Sequence, residues 1–299
     1  MKNKILFSLI VGFAFLSIDL NAQSVYDEKN SVYKKEKHIN KKPQPYTELR
    51  EADIMWSRKI WREIDLRQKI NHPFYYPKNN GSGSRTDDRK SLIDVIYSAI
   101  IEGAITAYDP ANNDDEFKRE MTAQQIESIG GAGFIETEDI DQDLIDQGYS
   151  EEDAIVIKKV RKNFDRNKVM KWRIKEEWFF DKQRSVMDVR ILGLAPLVEN
   201  TDLTTGDPTG TYSPLFWVYF PEARDVLINA PVFNLVKNDA ERRTYDDVFW
   251  KRMFSSTTIK EANVFDRSIN KYMIGLDALL EANRIKEEIF NLEHDLWEY

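Results

Sequence analysis

Any chemistry in this chain would have to come from its carboxylates. Glu176 and Glu177 are the most conspicuous, and an acid pair flanking a scissile bond is how a glycosidase divides acid and base work. They sit inside Val169–Pro196, whose apolar and polar residues alternate as in a strand. Adjacent strand residues point to opposite faces, so these two acids cannot act together. Glu176 falls on the apolar face, where an ionised carboxylate needs a cation, and it reads as one half of a partly buried ion pair. The other chemical candidates are fewer. His38, His72 and His294 are scattered, with no partner at metal-ligand spacing. His72 reads as a cap on a helix that ends there, and His294 as a helix-surface residue. The chain has no cysteine, which excludes disulfides, thiolate chemistry, iron–sulfur clusters and cysteine zinc sites. Gly130-Gly131-Ala132-Gly133 has neither the spacing nor the lysine of a phosphate loop and reads as a helix terminus. Asp139-x-Asp141-x-Asp143 matches the opening of a calcium loop. Leu144 stands where that loop needs glycine, however, and Ser150 where it needs glutamate. The acidic run from Glu136 to Asp153 therefore reads as a solvated loop or helix start. No catalytic, cofactor-binding or metal-ligating residue is assigned.

The elements that would position these residues begin with the alternating stretch itself. Met170, Trp172, Ile174, Trp178 and Phe180 share one face, and Met187, Val189 and Ile191 share one face of the second arm. Between them lies the polar tetrapeptide Asp181, Lys182, Gln183, Arg184, which predicts a β-hairpin with one buried face. Leu215 to Phe220 predicts a further strand ended by Pro221, after a turn-rich loop from Asn200 to Ser213. Glu51 to about Ile70 predicts a helix: Trp56, Ile60 and Ile64 form one stripe, Ile54 and Trp61 a second, and Pro73 a stop. Phe74 to Pro77 reads as a short extended aromatic segment. Asp88 to about Gly103 predicts a second helix with Leu92, Val95, Ile96, Ala99 and Ile100 inward, and Ile105 to Tyr108 a short strand. Thr122 and Gln125 have capping-box spacing and open another helix. From about Ala223 the chain reads as helical to its end, with a heptad-like seam through Gly275, Ala278, Ala282, Ile285, Ile289, Leu292 and Leu296. Such a seam packs on its own domain or on another subunit. The fold class is α+β: a small antiparallel sheet (hairpin 169–196 plus strand 215–220) packed with several helices, and a helical C-terminal region.

The first 22 residues have the pattern of an export signal. Lys2 and Lys4 precede an apolar run from Ile5 to Ile18, which is shorter than the roughly 20 residues of a membrane span, and the expected cut falls between Ala22 and Gln23. Residues 23–47 form a lysine-rich arm closed by Pro43 and Pro45, and 48–299 a single α+β domain. A net charge of −8 argues against a nucleic-acid partner. With 7 Trp, 13 Tyr and 16 Phe and no convergent polar site, the composition favours a scaffold or binding protein.

Several long blocks carry a family resemblance. ADIMWSRKIWREIDLRQKINHPFYYP, SLIDVIYSAIIEGAITAYDP, KEEWFFDKQRSVMDVRILGLAP, LFWVYFPEAR and NVFDRSINKYMIGLDALLEANRIKEEIFNLEHDLWEY resemble, in order, the GldN family, called PorN in non-gliding relatives. The resemblance runs from about Glu51 to the C-terminus. It implies a periplasmic, non-enzymatic component of the type IX secretion system, coupled to gliding in gliding species, with no cofactor. The implied partners are an outer-membrane lipoprotein of the GldK or PorK type, with which it builds a ring, and the motor protein GldM or PorM. Its membrane contact would be indirect, and no catalytic residue carries over. Candidate interface residues are Trp56 and Trp61, the tip Asp181, Lys182, Gln183 and Arg184, and the seam residues Ile285, Ile289, Leu292 and Leu296. The competing classes are an exported carbohydrate-active hydrolase using an Asp/Glu pair and an exported binding module.

Overall fold

Alternation on both sides of a polar turn yields the hairpin it predicts, and the rest of the sheet assembles on it. The computed structural model describes residues 41–78, 89–111, 115–129, 164–202, 207–232 and 242–295, together with the backbone of 133–140 and 155–162. Residues 41–299 form one compact unit. In chain order the elements are β1 (Ile54–Asp65), α1 (His72–Tyr75), α2 (Leu92–Ile101), β2 (Ala107–Tyr108), α3 (Ala123–Glu127), β3 (Gly133–Ile140) and β4 (Ile155–Lys162). They continue as β5 (Val169–Asp181), β6 (Val186–Thr201), β7 (Pro208–Pro214), β8 (Trp217–Tyr219), α4 (Phe220–Leu227), α5 (Tyr245–Trp250), β9 (Thr257–Glu261) and α6 (Leu276–Asp295). The main sheet has the order β2-β8-β6-β5-β1-β9, with β7 also paired to β6, and every pairing is antiparallel. The α+β class is as expected.

The largest departure from the sequence expectation is β1. Residues 54–65 form a strand, not a helix, and pair along β5 from Trp56 opposite Phe180 to Asp65 opposite Lys171. Trp56, Ile60 and Ile64 are four apart, and four is both one helical turn and an even number of strand steps. The same stripe therefore lies on one face of either element. Trp61 points to the other face and is also buried, so the period-two signal is lost. Isoleucine and tryptophan suit a strand, and pairing with a distant partner decided between the two.

Other expectations change for similar reasons. Pro73 opens the short helix α1 instead of stopping a long one, because its missing N–H costs nothing in a first turn. Phe74 and Tyr75 are helical, and His72 starts that helix. Asn71, fully buried, turns the chain here: its Nδ2 donates to the carbonyls of Asp65 (2.8 Å) and Ser255 (2.9 Å), and its Oδ1 accepts from the Ser255 N–H (2.9 Å). Part of the turn-rich 200–213 segment is strand β7. Phe220 and Pro221 belong to the first turn of α4, so the expected strand narrows to β8. The C-terminal region is not wholly helical, since β9 interrupts it and pairs with β1. Glu136, Glu138 and Asp139 lie on β3, whose register sets Glu136 across from Lys159 on β4. Asp141 to Ser150 of the calcium-loop pattern, and Gly130 to Ala132, lie outside the described residues.

The capping box expected at Thr122 is present, and α2 has a cap not read from the sequence. Ser91 caps α2 by accepting from the Asp94 N–H, and Thr122 and Gln125 form a capping box on α3. Leu92, Val95, Ile96, Ala99 and Ile100 are all buried in the main core. That core lies between the sheet and α1, α2, α4 and α5, with Phe74, Tyr245, Phe249 and Phe254 forming an aromatic cluster whose ring centroids are 5.2–6.2 Å apart. Burial, with a contribution from the Asp94 charge, pushes the Tyr245 phenol well above its ordinary 10.0.

Two predictions come from this packing. A Cβ on Gly193 would overlap the Phe117 ring and lie 3.3 Å from Trp217 Cε3, so Gly193→Ala should cost about 1–3 kcal/mol by urea denaturation, as core overpacking does. Phe117→Ala in the same chain should relieve most of that clash term. The Tyr245 hydroxyl donates to the Lys90 carbonyl at 2.8 Å and lies 3.2 Å from that of Pro73. Because its folded pKa lies above the unfolded one, its stabilisation is complete below pH 10 and is lost as pH rises beyond it. Tyr245→Phe should therefore lower stability at neutral pH by about 0.5–1.5 kcal/mol and flatten part of the decline above pH 10, read from urea midpoints across pH.

Candidate functional site

The sheet packs helices on one face and a smaller cluster around Trp61, Ala195 and Trp217 on the other, and the charged residues divide between them. On the helix-packed face Glu176 is fully buried between two arginines. Its oxygens lie 2.9 and 3.1 Å from Arg252 Nη2, and Oε2 is 3.8 Å from Arg62 Nη1. Trp178 Nε1 donates to the same carboxylate at 3.2 Å, and Arg62 also donates to the Ser256 carbonyl. Burial holds the Arg62 pKa down, Glu176 acts against that, and the charge of Arg252 adds to it. This is the ion pair expected for Glu176, with two cations in place of one. Both oxygens accept from arginine or tryptophan donors, and Glu177 lies on the opposite face, so the two acids do not converge on one site.

On that opposite face Trp61 Nε1 donates to Asp115 Oδ2 at 2.5 Å, and Lys175 Nζ donates to the Asp115 carbonyl at 2.7 Å. Phe117, at a φ of 57°, lies over Gly193 and packs edge-on to Tyr108, Trp217 and Tyr219. Trp61 is therefore held inside the fold. Beside it a cleft of about 300 Å³ is lined by Trp61, Tyr212, Trp217, Arg173 and Lys260. Its charged groups are mostly paired, Arg173 with Glu63 and Lys260 with Asp266.

A second cleft, of about 200 Å³, lies where the chain enters the domain. Tyr46 stacks on Trp250 at 5.5 Å, with the Arg224 guanidinium 4.5 Å and that of Arg190 5.0 Å from its ring. Arg224 is buried and bidentate to Asp246, at 2.8 and 3.2 Å. Asn229 clamps the Lys41 backbone, its Oδ1 accepting from the N–H and its Nδ2 donating to the carbonyl. Arg190 Nη2 also donates to the Thr47 carbonyl, so Lys41 to Thr47, the end of the lysine-rich segment, is tied to the fold at Lys41, Tyr46 and Thr47.

At the hairpin tip Asp181 is buried and spent on the turn: it accepts from the Gln183 N–H at 2.9 Å and from Arg184 Nε at 2.7 Å. The Arg184 bond holds its carboxyl below the usual range. Lys182, Gln183 and Arg184 are exposed, and Gln183 reaches Asp53.

The C-terminal seam is occupied from within. Ala282, Ile285 and Ile289 of α6 are buried against Ile60 and Ile269, with Trp56, Trp178, Met273 and Ala278 around them. Leu292 is half-buried, and Leu296 lies outside the described residues, as do Ala22 and Gln23. The opposite stripe of α6 is exposed and apolar: Leu276 is 69% exposed, Leu279 55%, Leu280 57% and Phe290 66%. The sequence reading missed this second face, although Leu276, Leu279 and Leu280 already show i, i+3, i+4 spacing. It also missed Asn71, Asp115 and the Arg224–Asp246 pair, whose partners are far apart in sequence.

Among the described residues no group of three or more His, Cys, Asp or Glu is placed to hold a metal, and no helix is long and apolar enough to cross a membrane. His72 packs edge-on to Tyr76, His294 lies exposed near the end of α6, and His38 lies outside the described residues. The fold and these surfaces define an α+β protein with a helix-backed antiparallel sheet, whose central charges are spent on structural pairs and whose last helix presents an apolar stripe to solvent. The family model described as gliding motility associated protein GldN matches residues 49–298, and the chain belongs to that family. No curated protein matches it.

Removing the buried carboxylate tests the structural role given to it. Glu176→Ala leaves Arg62 and Arg252 facing each other uncompensated and should cost about 3 kcal/mol, the lower end for a broken buried pair because Arg252 is partly exposed. Replacing all three charges with Met should recover most of that loss in the same denaturation experiment.

Proposed function

We propose that the chain is a non-enzymatic structural and coupling subunit of a periplasmic ring complex serving type IX protein secretion and gliding motility. The observation that carries this reading is the GldN family match across 49–298, nearly the whole folded unit. The exposed apolar stripe on α6 supports it, since a large apolar patch on a folded surface marks an interaction site. Residues 1–22 serve as the export signal, cut between Ala22 and Gln23, residues 23–47 as the basic arm and 48–299 as the assembling domain. The subunit reaches the outer membrane through a lipoprotein of the GldK or PorK type and meets the periplasmic part of a GldM- or PorM-type motor protein. Contacts around a ring are heterologous, so each copy must offer two different complementary surfaces. The tip residues Lys182, Gln183 and Arg184 remain exposed for such a contact.

The purified chain from Gln23 onward should form assemblies larger than a dimer when mixed with the lipoprotein, and the two should co-elute in size exclusion with light scattering. A chain that stays strictly monomeric and fails to retain the lipoprotein would sink this reading.

A further inference from the structure

The outer face of α6 carries more information than apolarity. Leu276, Leu279, Leu280 and Phe290 fall within about one third of the helix circumference at 3.6 residues per turn, opposite the buried Ala282, Ile285 and Ile289. The helix is therefore apolar on two sides, and one of them is satisfied inside the chain. Along the open side run Asp277, Glu287 and Asp295, none with a hydrogen bond or ion pair among the described residues. By contrast, Glu281 and Glu288 are neutralised by Arg284, and Glu288 also by Arg58. Among the described residues Lys286 is the one lysine or arginine of α6 without an ion pair, and it borders the stripe beside Leu279. The open face thus presents Leu and Phe side chains bordered by uncompensated negative charge.

The sign of that charge selects among occupants. A second copy offering the same face would set carboxylates against carboxylates, which costs energy in proportion to their proximity. An anionic lipid surface repels it for the same reason. A helix with its own apolar stripe and flanking lysines or arginines satisfies both features, in the helix-on-helix mode of peptide recognition. From Leu276 to Phe290 the stripe is about 21 Å long at 1.5 Å per residue, which suits a partner helix of about four turns. We propose that the outer face of α6 docks a basic amphipathic helix of a partner protein. This inference rests on reading the chain as an assembly subunit and adds the face used and the chemistry of the segment that binds it.

The chain has no cysteine, so Leu280→Cys gives one labelling site in the full chain. An environment-sensitive fluorophore there should shift to the blue on titration with an 18-residue Leu/Lys amphipathic helix. It should shift at least tenfold less well with a Leu/Glu helix of the same apolar pattern. Leu279→Ser with Phe290→Ser, and separately Asp277→Lys with Glu287→Lys, should each weaken binding of the Leu/Lys helix at least tenfold while the melting temperature holds. Equal binding of both peptides, binding unaffected by either double variant, a shift produced by phosphatidylglycerol vesicles alone, or label-dependent self-association would each overturn the proposal. In cells, a photocrosslinking residue at Phe290 should capture one partner through a lysine- or arginine-rich helix. If the Leu279→Ser, Phe290→Ser chain assembles as well as the parent, this inference fails and the assembly reading stands. If the parent itself does not assemble, the assembly reading fails.

Discussion

The buried carboxylate of Glu176 constrains the rest of the fold. It sits at the meeting point of two apolar clusters, the large one under α2, α4 and α5 and the smaller one under α6, and dry protein tolerates it only because two guanidiniums converge on it. One guanidinium comes from β1 and the other from the turn after α5, so a single group ties together three segments distant in sequence. The register follows from it. Ile60 must stand opposite Glu176 for Arg62 to reach diagonally across, and β5 and β6 slip by one residue at Lys175/Glu176 to keep the apolar face continuous. Arg252 takes a φ of 51° because it closes α5, where the Met253 N–H returns to the Val248 carbonyl at 2.9 Å, and that turn aims its guanidinium at Glu176.

The same economy governs the aromatic residues. The surplus visible in the composition suggested binding surfaces, yet many rings are consumed internally: Phe74, Tyr245, Phe249 and Phe254 in the main core, Phe117 and Trp217 in the cluster on the other face of the sheet. The apolar stripe that α6 leaves exposed is made of three leucines and Phe290. Trp56 and Trp61, attractive as interface candidates by residue type, are held by packing and by the Asp115 hydrogen bond respectively.

How far the fold could be read ahead depended on the distance over which each decision was made. The hairpin, α2 and the α3 capping box rest on contacts within a few residues, and periodicity and cap chemistry exposed them. The Glu176 ion pair was legible too, because an acid on an apolar face demands a cation wherever that cation comes from. Its identity was not, since Arg252 lies 76 residues away. Strand β9 went unseen because five residues, TTIKE, carry too little periodicity to stand out beside a long helical pattern.

By itself the sequence determined where the hairpin turns, the apolar face of α2, the capping box on α3 and the family to which the blocks belong. Only the tertiary structure decided that Trp56, Ile60 and Ile64 lie on a strand, because a spacing of four fits both elements and the choice falls to hydrogen bonds with β5, more than a hundred residues on. It alone decided which stripe of α6 is spent on Ile60 and which stays open. A helix apolar on two sides has no local reason to prefer either, and the face that meets the sheet is the one whose small and branched residues, Ala282, Ile285 and Ile289, fit against it.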